Sequence, residues 1–180
     1  MKHWNIPAAL AAVVLLATAP ALAQEYEKPA EEAATATAEA THIVVEPGDI
    51  DWQPAPPILP AGANMAVLAG DLAKEGPFVF RVRVPDGYQV APHFHPGTES
   101  VTVISGTFGI GMGEAFDESA LRDLGPGALI VIPAESPHFV RVKGETEIQV
   151  HGIGPWALTY VNPADDPSQT APAEGAPTGR

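Results

Sequence analysis

An all-β domain, closed as an antiparallel barrel or sandwich, is the fold class this sequence predicts. Short β-like runs alternate with glycine and proline punctuation, Pro 20 and Gly 17 stand against only 7% aromatic residues, and a single stretch reads as helix. With 46% hydrophobic content over 180 residues the chain can bury one real core, and two full domains are not expected.

The runs follow in order. Ile43–Val45 is β-branched, and Ala66–Ala69 is short and apolar. Phe78–Val84 has two faces: Phe78, Phe80, Val82 and Val84 share one side, while Arg81 and Arg83 share the other and should meet solvent or a partner. Ser100–Ile104 and Thr107–Met112 are parted by Ser105-Gly106, and the strongly apolar Ala128–Ile132 stops at Pro133. His138–Val142, Thr146–Val150 and Ala157–Val161 complete the set. Leu121 and Leu124, three apart, mark Glu118–Leu124 as a short helix in a connection. No internal repeat is evident. Gly109-Ile110-Gly111-Met112-Gly113 lacks the strand–helix context of a dinucleotide loop and reads as a glycine-eased strand.

The ends differ from this core. Residues 1–23 have the form of a secretory signal: Lys2 is followed by an apolar stretch from Ile6 to Leu22, and Ala21-Leu22-Ala23 fits a small-x-small cleavage site. An uncleaved anchor is disfavoured, because the apolar stretch is short and carries Pro7 and Pro20. The expectation is a periplasmic or secreted protein with no membrane attachment after cleavage. Residues 24–41 read as a flexible linker, residues 42–161 as the folded domain, and residues 162–180, with Pro163, Pro167, Pro172 and Pro177, as a disordered tail.

A formal net charge of -13, with the basic residues scattered, argues against nucleic acid as a partner. The absence of cysteine means that any metal must be held by nitrogen and oxygen ligands.

Those ligands are present. In an extended segment residues two apart project from one face, so His93 and His95 can aim two imidazoles at one centre. Pro96-Gly97 bends the chain, and Glu99 opens the next strand in the same parity as Val101 and Val103, at the end of an inward-facing apolar row. His138 follows the Pro133–Pro137 turn and begins another strand. Three neutral imidazoles and a carboxylate suit one divalent transition metal, Fe, Mn, Ni, Cu or Zn, better than Ca or Mg. Four protein ligands around an octahedral ion leave two positions for a small-molecule ligand. Phe108, Gln149 and His151 are further pocket or supporting candidates. The periodicity leaves His151 open, since Ile148 and Val150 are equally good inward residues. Trp156 and Tyr160, four apart, read as core or rim packing.

These residues resemble the cupin superfamily. Gly87, His93, His95, Glu99 and Gly106 match every fixed position of its first motif, G-x5-H-x-H-x3,4-E-x6-G. The second, G-x5-P-x-G-x2-H-x3-N, is met at Gly127, Pro133 and His138, but Glu135 stands in the glycine place and Val142 in the asparagine place. The first departure questions the turn, because glutamate tolerates positive φ poorly. The resemblance implies an antiparallel double-stranded β-helix, the cupin or jelly-roll barrel, with a metal inside one end. It also implies a range of functions, from dioxygenases, oxalate-degrading enzymes and isomerases to proteins that only bind ligands. The leading expectation is a metal-dependent, dioxygenase-like oxidoreductase acting on a small oxygenated molecule; the alternative is a non-catalytic periplasmic metal or small-ligand binding module. Homodimerisation through a barrel edge is a further expectation.

Overall fold

The computed structural model describes residues 42–169. Nine strands run antiparallel: β1 (Gln53–Pro54), β2 (Asn64–Ala69), β3 (Gly76–Val84), β4 (Gln89–Phe94), β5 (Glu99–Met112), β6 (Arg122–Leu124), β7 (Leu129–Ile132), β8 (His138–Gly154) and β9 (Thr159–Tyr160).

Two long, bent strands form the frame. The first part of β5 pairs with the last part of β8 (Val101↔Val150), and the last part of β5 pairs with the first part of β8 (Ile110↔Val140). The pairing shifts register between Val103 and Thr107. Gly106 sits at this bend with φ 77°, and a Cβ there would collide with Glu145 O and the Thr146 hydroxyl. The fully buried Thr146 side chain ties the joint, its Oγ1 accepting from Thr107 N–H at 3.2 Å and donating to Gly144 O at 3.1 Å. Ser105-Gly106, which the sequence suggests as a break between two strands, is therefore a bulge within one. The runs at His138–Val142 and Thr146–Val150 are likewise one strand.

Because each long strand serves twice, the chain forms two sheets that curl over a common interior. One runs β1-β2-β3-β8-β5-β7 and the other β6-β5-β8-β4-β9. This is the expected antiparallel double-sheet barrel. Phe78, Phe80, Val82 and Val84 line its inside from β3, facing Phe108, Ile110, Val140 and Val142 of the other sheet. On the outer side of β3, Arg81 and Arg83 each contact Glu147 at 3.0 Å, and the Arg83 guanidinium lies 4.3 Å over the Trp52 ring.

Several expectations are corrected. Ile43–Val45 is exposed and forms no strand, since β-branched composition without a partner strand does not hold one. Glu118–Leu124 is not a helix: Asp117 caps a 3-10 turn at Glu118–Ala120, and the following residues pair with β5 as β6. The tail expected from residue 162 begins with two 3-10 turns, Pro163–Asp165 and Pro167–Gln169. The Asn162 side chain caps the first, accepting from Ala164 N–H, and the Asp166 carboxylate accepts from Ser168 N–H in the second. The expected signal at 1–23 and linker at 24–41 lie outside the described residues, as does the end of the tail.

Candidate metal centre

The site grows out of the strand pairing. β4 pairs with β8 on one side and β9 on the other, which sets His93 opposite both His138 and Tyr160. The β4–β8 register slips between Val90 and His93, where Pro92 has no N–H to give. His95 lies two residues beyond His93, just past the end of β4, on the same inward side. Glu99 begins β5 with its side chain in the parity of buried Val101 and Val103, as the alternation predicts. His93, His95, Glu99 and His138 are all buried, with 2 to 5% of their surface exposed, and all line the interior cavity.

The turn that delivers His138 keeps its shape despite Glu135. That residue adopts φ 56°, and its N–H donates to His95 O at 2.8 Å. The doubt raised by glutamate in a glycine position is thus resolved in favour of the turn, with a left-handed residue bearing a side chain. Val142, in the asparagine position, is a buried wall of the cavity.

The histidine orientations are fixed by backbone carbonyls. Nδ1 of His93 donates to Ala91 O at 2.8 Å, that of His95 to Ala157 O at 2.7 Å and that of His138 to Ser136 O at 3.0 Å. A carbonyl only accepts, so each Nδ1 carries the proton and each neutral ring keeps a lone pair on Nε2. Burial holds His93 well below the usual imidazole range, reinforced by the neighbouring His138 and His95 and opposed by the bond to Ala91. Burial also lowers His95 and His138, against the bonds to Ala157 and Ser136. Three uncharged rings result, with ligand atoms within 4.8 Å of one another. Bonds of ~2.1 Å to a shared ion require separations of about 3–4 Å, which lie inside that limit. The donor set therefore fits a transition metal.

Glu99 stands at the edge of this triplet. Its Oε2 is 3.2 Å from His95 Nε2, and its Oε1 accepts from the Trp156 indole N–H. Burial pushes the carboxyl up to about 7, opposed by the Trp156 bond and by His138. Trp156 also stacks on His95, with ring centroids 5.5 Å apart at 26°. It packs in the core as the sequence suggests, but its role as holder of Glu99 has no local sequence signal, since the two are 57 residues apart.

The remaining candidates separate. Phe108 is buried and lines the cavity. Gln149 and His151 do not reach it, because β8 turns Ile148 and Val150 inward. Gln149 instead accepts from Arg81 Nε at 2.9 Å, and His151 Nε2 lies 3.5 Å from the Thr102 hydroxyl.

A double-sheet antiparallel barrel enclosing three converging, uncharged imidazoles able to hold a metal ion is the arrangement of a cupin. The chain belongs to the family of ChrR cupin-like domains, which matches it over residues 40–155. No curated protein sequence matches it. Among solved structures it is similar to the polyketide cyclase RemF of Streptomyces resistomycificus, with 18% identity and a TM-score of 0.60 over 72% of this chain and 92% of that one. A putative acetylacetone dioxygenase of Methylibium petroleiphilum is 17% identical, with a TM-score of 0.57 over 72% of this chain and 88% of that one. An RmlC-like cupin of Shewanella frigidimarina is 11% identical, with a TM-score of 0.50 over 63% and 91%. At these identities the likeness shows the fold.

Proposed function

We propose that this protein is an exported metal-dependent enzyme, an oxidoreductase of dioxygenase-like type, acting on a small oxygenated molecule. The observation that carries the reading is the set of three buried Nε2 lone pairs, each aimed by a hydrogen bond from Nδ1 to a carbonyl. In this reading His93, His95 and His138 hold one divalent transition metal, and Glu99 joins them. Such a metal supplies a Lewis acid for an oxygen-bearing substrate or, if redox-active, a centre for dioxygen chemistry. The chain's own residues orient and surround: Trp156 positions Glu99, and apolar side chains form most of the wall around the ligands. The cavity segment around Leu59 is tied down by Tyr88, which donates to Pro60 O at 2.7 Å, and by Tyr160, which donates to Ile58 O at 2.9 Å. Loading the purified protein with Fe, Mn, Ni, Cu or Zn and following oxygen uptake over enediols, phenols and keto acids tests the proposal. Oxygen consumption with a redox metal supports it, and no turnover with any metal refutes the enzyme reading.

One observation favours a second reading, a non-catalytic periplasmic binding module. Apart from the four candidate ligands, Tyr88 is the one titratable side chain lining the cavity among the described residues, and its hydroxyl is committed to Pro60. Calorimetric binding of a ligand recovered chemically unchanged would support this alternative. Homodimerisation belongs to the same proposal: β7 is an edge strand that exposes Leu129 and Val131.

A further inference from the structure

The cavity that reaches the histidines is notable for what its walls offer a ligand. Its free space, open mouth included, is about 650 Å³. Beyond the metal-facing groups its lining is almost entirely hydrocarbon, with Val82, Phe108, Val140, Val142, Ile148 and Val150 drawn from both sheets. Among the described residues neither lysine nor arginine lines it.

The few other polar side chains on the wall are already engaged. The Tyr88 hydroxyl donates to Pro60 O, the Thr146 hydroxyl is held between Thr107 N–H and Gly144 O, and the Trp156 N–H is given to Glu99. Away from the histidine Nε2 atoms that face the cavity, no buried side-chain nitrogen or oxygen among the described residues lacks a partner. Val142 sharpens the point, since it places methyl groups where the cupin motif carries an asparagine amide. A ligand hydroxyl or carboxylate lying against these walls would lose its water and find nothing in exchange, weakening binding roughly tenfold or more for each such group.

We infer that the natural ligand carries its oxygen donors together at one end and an uncharged aliphatic or aromatic body at the other. The inference rests on the metal reading above, because the metal and its four residues are what would receive the oxygen-bearing end. The body then lies along the valines, where each methylene removed from water tightens binding about threefold to fourfold. Sugars and compounds with a carboxylate at each end fall outside this class.

The test uses the full chain loaded with metal and a series of ligands sharing one chelating head. Elemental analysis first establishes metal content. Calorimetry then follows acetohydroxamate, butanohydroxamate and hexanohydroxamate, together with gluconohydroxamate, which matches the last in carbon count but bears a hydroxyl at each step. The expected result is a threefold to fourfold gain per methylene until the cavity is filled, with gluconohydroxamate binding at least tenfold more weakly than hexanohydroxamate. Ile148→Ala, which deepens the cavity by trimming a partly buried side chain, should move the point where the gain levels off to a longer chain.

A flat series, or tighter binding of gluconohydroxamate, in protein shown to contain metal overturns the ligand class and leaves the metal site standing. Failure of the wild-type protein to retain any transition metal overturns the metal reading itself. The two failures are thus read from different measurements.

Discussion

Replacing Glu135 with glycine should stabilise the protein, although it removes a charged side chain from the surface. Glu135 is exposed, and among the described residues no hydrogen bond or ion pair engages its carboxylate, so little is lost with the side chain. What is relieved is its backbone, which stands at φ 56°. A residue with a Cβ pays about 1–2 kcal/mol in the left-handed region, because the Cβ crowds the carbonyl oxygen. Glycine escapes that cost but gives back about 0.5–1 kcal/mol through the greater freedom of its unfolded chain. The balance is a gain of about 0.5–1 kcal/mol, which for a domain of this size raises Tm by roughly 2–4 °C. Thermal unfolding of the wild type, Glu135→Gly and Glu135→Ala, followed by circular dichroism, separates the causes. Alanine keeps the Cβ and should show no gain. Equal stabilisation by both variants would assign the effect to lost surface charge and refute the backbone argument, as would a fall in Tm with glycine.

Other consequences follow from the site and the sheet edge. His93→Ala and His138→Ala should each sharply reduce the metal content of purified protein while leaving the β-rich circular dichroism spectrum in place; equal metal content in wild type and both variants, by elemental analysis, would contradict the centre. Trp156→Phe keeps much of the ring packing but removes the N–H bonded to Glu99. Metal affinity should drop by roughly 10–100-fold, the usual effect of losing a residue that orients a ligand, and a competition titration with a chelator measures it. Changing Leu129 and Val131 together to lysine places charge on the exposed outer face of β7. If that edge joins two copies, sedimentation should show dimer in the wild type and monomer in the double variant; monomer in both would end the dimer proposal.

The placement of the three clustered histidines and of the buried Glu99 beside them was legible because each lies where a simple local rule applies. His93 and His95 share a face through strand alternation, Glu99 continues the parity of Val101 and Val103, and His138 follows a proline-bounded turn. Alternation fails where both phases of a strand look acceptable. In β8, His151 and Gln149 competed with Ile148 and Val150, and the choice was made across the sheet by Val101 standing opposite Val150. Punctuation misleads for a related reason. Gly106 marks a chain that must bend, but only the contact with Glu145 and Thr146 makes the bend a bulge inside β5 rather than a turn between strands. Strands β1 and β6 left little trace, because Gln53–Pro54 and Arg122–Leu124 are short and mostly polar or proline-bearing, and owe their conformation to β2 and β5. The link from Trp156 to Glu99 is the extreme case, since it exists only once the barrel has closed. Sequence therefore reveals most reliably the groups whose direction is set by their own strand. Those whose role is set by a partner from across the barrel, Trp156 above all, become visible only in three dimensions, and they decide how firmly a side chain such as Glu99 is held in place.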